Sequence, residues 1–244
     1  MQIRVGMEGN IEGRYLAWAL DYPGCFAHGT DEAEALILLP KTLIEYEIWI
    51  KDHTQESWVD FKELDVRVVE HYETFRLGPD YRPAPPGEGY EINAWFIDDW
   101  RPLSNVEIDQ ALKIFQWQRD ELLAGLSTLD QEVLEKQFPE QRWNIIGITK
   151  HIANAELWYL RRLDLTSLVF KELSPHYEER LNQTGDLIKE IFPSFADQVN
   201  VVGIEGEIWS CRKIIRRTLW HQRDHIDHIK YLALYRSKDD PTGQ

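Results

Sequence analysis

The sequence is poor in cysteine and has no long hydrophobic run. Its only cysteines among 244 residues, Cys25 and Cys211, are too few for a disulfide framework. No apolar stretch reaches the roughly 20 residues that span a bilayer, and the first residues lack the apolar segment of a signal peptide. These absences argue against a disulfide-stabilised secreted domain and a membrane protein. They predict a cytoplasmic protein with no membrane partner.

Positive charge is also scarce. The chain holds 27 Lys and Arg against 42 Asp and Glu, a net charge of −15. Residues 1–102 hold 20 acidic and 9 basic residues (net −11), and residues 103–244 hold 22 and 18 (net −4). Because nonspecific nucleic-acid binding requires clustered positive charge to displace counterions, no nucleic-acid partner is predicted. An acidic surface is typical of a soluble protein and could also steer a basic partner.

What the sequence does contain falls into two patterns. Residues 1–76 combine short alternating segments with one helical pattern from Asp31 to about His53, which Pro40 is expected to kink. Residues 77–102 are rich in proline and predict a linker, in which residues 92–97 could add a strand or cover an edge. Residues 103–237 carry four helical patterns. The predicted fold class is therefore α+β, a small N-terminal α/β domain followed by a four-helix bundle.

Local signals set the expected boundaries of these elements. Ser104 and Glu107 form a capping box, and Asn144 and Ser210 are candidate N-caps. Strands are predicted over residues 3–7, 14–20, 25–28 and 66–75, and bundle helices over residues 104–124, 144–163, 175–192 and 210–236.

Three of the eight histidines lie in one short segment, at His221, His225 and His228. On a helix His221 and His225 share a face, with Cβ atoms about 5–6 Å apart, and neutral imidazole is a metal ligand. A helix pair needs a further ligand, for which His151 is the candidate. Three protein ligands leave a position for water or substrate, as in catalytic sites. The alternative is a set of hydrogen-bonded core histidines without a metal.

The residues around this motif each have alternative roles. His228 could be a fourth ligand, a proton shuttle or a packed or surface residue. Asp224 could orient a ligand imidazole or be a solvated acid, and Glu156 is predicted to be an ion-pair partner rather than a base. Cys211 precedes His221 by about 15 Å of helix, too far to share its metal.

Five cations lie on or near the first half of the last predicted helix. They could hold a carboxylate-bearing thiol or an acidic substrate. Our preferred interpretation is that they form salt bridges to the acidic N-terminal domain. These cations are Arg212, Lys213, Arg216, Arg217 and Arg223.

The C-terminal region resembles the DinB-like superfamily of four-helix bundles, which includes YfiT-type metal-dependent hydrolases and thiol-dependent transferases. The matching segments are residues 143–147 (Trp-Asn-Ile-Ile-Gly), 151–156 (His-Ile-Ala-Asn-Ala-Glu) and 221–225 (His-Gln-Arg-Asp-His). The resemblance covers about residues 103–236. It implies His151, His221 and His225 as ligands of a divalent metal, which could be zinc, nickel, iron or manganese. It further implies a low-molecular-weight thiol, a small-molecule substrate, transferase or hydrolase activity and a homodimer.

The N-terminal region, residues 1–76, resembles the HicB-like domain, the partner-binding part of a bacterial antitoxin. The similarity lies in residues 21–36, which begin Asp-Tyr-Pro-Gly-Cys-Phe. That family has strands followed by a helix. Pro40 and the lack of a DNA-binding tail depart from it, so toxin neutralisation is not inferred. The domain is expected to support folding, dimerisation or a protein partner. The alternative to an enzyme is therefore a non-enzymatic stress-response or protein-interaction module that uses this face.

Overall fold

The computed structural model describes residues 2–56, 58–85 and 87–239, with side chains as far as residue 234. These residues form two compact units. The first contains the described residues up to Pro102 together with Val199–Lys213. The second contains Leu103–Gln198 and the described residues from Ile214 onward. The mixture of an N-terminal sheet and a C-terminal helical region confirms the predicted α+β class.

The first unit is built on a four-stranded sheet with the order β3-β2-β1-β4. Strand β1 (Gln2–Ile11) pairs antiparallel with β2 (Arg14–Ala19), which pairs antiparallel with β3 (Phe26–Gly29). On its other edge β1 pairs parallel with β4 (Asp65–Glu73). Parallel pairing requires a crossover connection, and helix α1 (Glu32–His53) supplies it.

Helix α1 begins where the sequence predicted. The Asp31 carboxylate accepts a hydrogen bond of 2.8 Å from the backbone N–H of Glu34 and so caps the helix. The helix continues through Pro40 to His53. Its buried face, with Ala35, Leu39 and Leu43, packs against apolar side chains of the sheet in one core cluster.

The proline-rich residues 77–102 and a later segment also contain regular structure. Strand β5 (Phe75–Leu77) pairs antiparallel with β6 (Tyr90–Ile92), so the strand that residues 92–97 could have added lies at residues 90–92 instead. Ile97–Trp100 forms a 3₁₀ turn instead. A second hairpin, β7 (Val201–Ile204) and β8 (Glu207–Ser210), was not predicted. Its Glu207 carboxylate accepts 2.6 Å hydrogen bonds from the backbone and side-chain N–H groups of Asn93.

The second unit contains the four long predicted helices. The three predicted caps are confirmed. Ser104 accepts a hydrogen bond from the Glu107 N–H, Asn144 from the Gly147 N–H, and Ser210 from the Lys213 N–H. The short helix α3 was not predicted. The helices are α2 (Asn105–Ser127), α3 (Gln131–Glu135), α4 (Ile145–Arg162), α5 (Tyr177–Ile191) and α6 (Cys211–Asp239).

The helices of the second unit share one apolar core. Each contributes side chains that are at most 5% exposed, and this common core confirms a helical bundle. Members include Leu122, Val133, Ile148, Ile152, Leu181, Ile226 and Ile229. Within the described residues, no helix is both long enough and apolar enough to cross a membrane.

Candidate metal centre

The bundle brings the three predicted histidines together. His151 lies on α4, and His221 and His225 lie one turn apart on α6. The Nε2 atom of His221 is 3.1 Å from Nε2 of His151 and 3.1 Å from Nε2 of His225. Each histidine contributes one ring nitrogen to a set of three that all lie within 4.8 Å of one another. His221 is buried and the other two are half-buried, so the group lies at the edge of the core.

This arrangement fits a metal better than it fits hydrogen bonding alone. An imidazole nitrogen carries either one proton or one lone pair, so His221 Nε2 can form only one good hydrogen bond while facing two rings. A tetrahedral ion with nitrogen ligands at 2.0–2.1 Å places them about 3.3 Å apart. The two 3.1 Å separations are close to that value, and one cation would accept a lone pair from every ring.

The electrostatics of His221 favour the metal-binding form of its ring. Burial lowers the pKa of His221 well below its usual value, and the neighbouring His225, His151 and Arg217 lower it further. The ring is therefore neutral near pH 7. Because metals bind neutral imidazole, His221 needs no deprotonation to act as a ligand.

His151 is held in place by the residues that open its helix. The Trp143 ring stacks on the His151 ring at 4.6 Å between centroids and an interplanar angle of 29°. A Cβ atom on Gly147 would lie 2.8 Å from the Trp143 Cβ, so glycine leaves the space that this tryptophan occupies. The Arg142 guanidinium lies 4.4 Å from the same indole ring. The Trp-Asn-Ile-Ile-Gly segment thus positions a candidate ligand as well as starting the helix.

The His228 side chain contacts Gln141 and does not join the group of the other three histidines. Its Nε2 donates a hydrogen bond of 2.9 Å to the side-chain oxygen of Gln141. Its ring centroid is 6.2 Å from that of His225. The group formed by the other three therefore does not include His228.

Asp224 does not accept a hydrogen bond from the Nδ1 atom of His221, so it does not orient that ring. His221 Nδ1 is buried and has no hydrogen-bond partner among the residues that the structure describes. The ring instead packs beside aromatic side chains, with Tyr159 at 6.1 Å and Trp220 at 5.9 Å between centroids.

A buried polar network lies beside the histidines and joins four helices. Glu156 of α4, which is 1% exposed, forms the predicted ion pair, and its partner is Arg119 of α2. Glu156 also accepts a 2.6 Å hydrogen bond from the Thr184 hydroxyl of α5. Arg119 Nε donates at 2.9 Å to the side-chain oxygen of Gln222, the neighbour of His221 on α6. The network therefore ties α4, which carries His151, to α6.

Arg119 and Gln222 were not singled out from the sequence, although a signal was present. Arg119 and Gln118 fall among the apolar positions of α2, between the buried Phe115 and Leu122. Polar residues on a buried helix face must find partners inside the protein. Their positions could therefore have predicted a buried network, but not its members.

The cations of α6 have several different surroundings. Arg212 donates to the backbone oxygens of Arg101 and Pro102, both at 2.8 Å. Lys213 Nζ donates to backbone oxygens of Asn93 and Ile208. Arg223 forms a 2.9 Å ion pair with Glu121 of α2. Glu121 belongs to the bundle. The ion pair of Arg223 is therefore within the bundle and not with the N-terminal domain, as the preferred interpretation had it.

Neither cysteine has the environment of a nucleophile. Cys25 and Cys211 are both buried. Burial raises the pKa of the Cys211 thiol to about 11 and that of the Cys25 thiol still higher. Because the thiolate is the reactive form, both are packed thiols near pH 7.

Comparison with known proteins finds a family match within the bundle region. Residues 104–213 match the sequence model of the DinB family, so the C-terminal part of the chain is DinB-like. The match spans 110 of the 244 residues, includes His151 and ends before His221. A solved structure described as TT2238, a four-helix bundle protein, is 21% identical, with a TM-score of 0.41, and the alignment covers 51% of this chain and 98% of that one. No curated protein matches the chain.

Proposed function

We propose that His151, His221 and His225 bind one divalent metal ion, and that the bundle is a metal-dependent enzyme. By its resemblance to DinB-like proteins, it would be a thiol-dependent S-transferase or a hydrolase acting on a small molecule. The observation that carries this proposal is the convergence of three Nε2 atoms, with His221 at 3.1 Å from each of the others. The candidate metals are zinc, nickel, iron and manganese. Imidazole ligands favour the first three, since manganese prefers oxygen ligands.

The chain's own residues are suited to holding such an ion rather than attacking a substrate. A metal with three protein ligands lowers the pKa of a water or thiol bound at its remaining position. Glu156 is engaged by Arg119 and Thr184, and both cysteines are buried thiols of raised pKa. The nucleophile would therefore come from outside the chain, as a small thiol or water.

Metal content tests the ligand assignment. Wild-type protein and the His221→Ala and His228→Ala variants would each be loaded with zinc or nickel, desalted and measured by elemental analysis. His228→Ala is the matched control, because it removes an imidazole from the same helix outside the group of three. We expect about one ion per chain in the wild type and the control, and little in His221→Ala. Equal metal content in all three proteins would refute the assignment.

Activity tests the reaction class. The metal-loaded protein would be incubated with small electrophiles, with and without low-molecular-weight thiols, and the products identified by mass spectrometry. A transferase forms a thioether only when thiol is present, whereas a hydrolase forms its product without thiol. Either product should be lost in His221→Ala and retained in His228→Ala. An activity that survives in His221→Ala would show that the reaction does not depend on the three histidines.

The second candidate is a non-enzymatic interaction module that uses the N-terminal unit. Its sheet and helix agree with the strands-then-helix order of the HicB-like domain, and we propose that relationship for residues 1–76. The observation in its favour is the apolar outer face of α1, where Ile37 is 75% exposed. Pulldown of one stable partner, with binding unchanged in His221→Ala, would support this module over the enzyme.

A further inference from the structure

The outer face of α1 carries a row of exposed large apolar side chains. Ile37 is 75% exposed, Ile44 49% and Ile48 54%. Their spacing of seven and four residues places them on one side of the helix, opposite Ala35, Leu39 and Leu43, which pack in the core of the unit. Several large apolar side chains exposed on one helix face are a feature of interaction sites in soluble proteins. We call Ile37, Ile44 and Ile48 the α1 stripe.

The charges around the α1 stripe form a pattern that is complementary to itself. Glu34 lies three residues before Ile37, and Lys51 lies three residues after Ile48. Lys41 and Glu45 lie between these ends. Suppose that a second identical helix runs in the opposite direction, with Ile37 of each copy facing Ile48 of the other. Each Glu34 then lies opposite a Lys51. A parallel pairing would instead place Glu34 opposite Glu34 and Lys51 opposite Lys51.

We infer that the α1 stripe binds the α1 stripe of a second copy of this chain in an antiparallel, two-fold arrangement. Ile37 would pack against the partner's Ile48, and Glu34 would pair with the partner's Lys51. A two-fold interface uses the same patch on both copies, which is what a self-complementary stripe provides. The inference concerns the N-terminal unit and is independent of the metal centre.

The local charge favours a second copy over a basic partner. Residues 1–102 have a net charge of −11, but the two ends of the stripe carry one acid and one base, Glu34 and Lys51. Lys41 pairs with Glu45 at 3.4 Å, and Lys51 pairs with Glu47. The Lys41–Glu45 pair is exposed and contributes little to stability. Glu47 is largely buried, but the Lys51 ammonium has three donor N–H bonds and can pair with a second carboxylate across the interface without releasing Glu47.

The size of the stripe predicts a weak dimer. A 22-residue helix is about 33 Å long, and one helix pair buries less than the roughly 1,200 Å² of stable interfaces. The association should therefore depend on concentration and be sensitive to single charges in the stripe.

Sedimentation equilibrium of the full chain tests the surface. Ile37→Glu would bury a charge in the proposed interface and should weaken the stripe-dependent association by at least about tenfold. Ile97→Glu is the matched control, because Ile97 is also 75% exposed but lies outside α1. Equal association of both variants and the wild type would overturn the inference. A wild-type chain that stays monomeric would also overturn it, leaving the face to a different protein.

Charge reversal tests the pairing within the interface. Glu34→Lys and Lys51→Glu should each weaken association by placing like charges opposite one another. The double variant should restore it, because every pair is then opposite in sign again. If the double variant associates as weakly as the single variants, the antiparallel pairing is refuted.

Cysteine cross-linking tests the direction of the helices. Ile37→Cys and Ile48→Cys would be oxidised separately and as a mixture, since Cys25 and Cys211 are buried and should not compete. We expect a disulfide-linked dimer only in the mixture, joining position 37 of one copy to position 48 of the other. Linked dimers from either variant alone would indicate a parallel pair, and no linked dimer in the mixture would refute the antiparallel contact.

Discussion

At the scale of single residues, the position of His151 depends on Gly147. An added Cβ would meet the Trp143 Cβ at 2.8 Å, a contact between two atoms attached directly to the backbone. Gly147→Ala must therefore displace Trp143 from the His151 ring. We expect metal affinity to fall by about tenfold, as when a group that supports a ligand is lost. Competition with a chromogenic chelator would measure it.

Gly125→Ala is the control for this prediction. Gly125 lies on α2 of the same unit, and an added Cβ there would meet nothing within 4 Å. Alanine should stabilise that helix by up to about 1 kcal/mol and leave metal affinity unchanged. If both alanine variants bind metal as well as the wild type, the Trp143 stack does not position His151.

The lowered pKa of His221 makes the metal-free protein sensitive to acid. Its folded pKa lies below the ordinary histidine value of about 6.5. Between these two values the unfolded chain binds more protons than the folded chain, so the free energy of unfolding decreases as the pH falls. Above the ordinary value the contribution is constant.

Urea unfolding of metal-free protein between about pH 7.5 and pH 5.5 would measure this effect. The wild type should lose stability across the range, and His221→Gln should lose less because it cannot be protonated. An identical loss in the two proteins would show that His221 does not contribute to the acid sensitivity.

At the scale of helices, the Arg119–Glu156 pair joins elements that are distant in the sequence. Removing one partner of a buried ion pair leaves an uncompensated charge, which costs about 3–5 kcal/mol. We expect a loss of this size in Glu156→Gln, measured by urea unfolding, together with weaker metal binding because α4 and α6 lose their tie. Asp109→Asn is the control. It breaks the exposed Lys113–Asp109 pair and should cost no more than about 0.5 kcal/mol. If Glu156→Gln and Asp109→Asn lose the same free energy of unfolding, burial of the ion pair does not determine the cost of breaking it.

Some of these helices and strands could be predicted from the sequence and others could not. The four long helices were predictable because local signals define them, namely the caps at Ser104 and Asn144 and a regular apolar spacing. The β7–β8 hairpin was missed because its strands have four residues each and its turn, Glu205-Gly206, lacks the usual Asn-Gly or Asp-Gly pair. The backbone takes positive φ at both turn residues, 52° and 81°.

The candidate metal centre was predictable for a different reason. His221 and His225 share a helix face by spacing alone, and His151 was chosen by resemblance to a family. The contact between Arg119 and Gln222, 103 residues apart, could not be predicted because it depends on how the helices pack.

At the scale of the molecule, residues 199–213 return to the unit formed by the first 102 residues. Ser210 Oγ donates to the Asp99 backbone oxygen at 2.7 Å, and Glu207 accepts from Asn93. A fragment of residues 1–102 loses these partners. We therefore expect faster hydrogen exchange around residues 90–100 in the fragment than in the full chain.

The matched control for this fragment carries residues 199–213 on a short linker after residue 102. Leu103 pairs with Ala196 in a β-bridge, which shows that the chain returns close to this point and that a short linker can span the gap. Protection should return in the control. If the simple fragment already exchanges as slowly as the full chain, the later segment does not stabilise this unit.

The most direct test of the central claim is X-ray absorption spectroscopy of the zinc-loaded protein. We predict nitrogen or oxygen ligands at about 2.0–2.1 Å, including three imidazoles, and no sulfur ligand at about 2.3 Å. The imidazole signal should diminish in His221→Ala and persist in His228→Ala. A spectrum without imidazole scattering, or one dominated by sulfur, would contradict a metal centre formed by His151, His221 and His225.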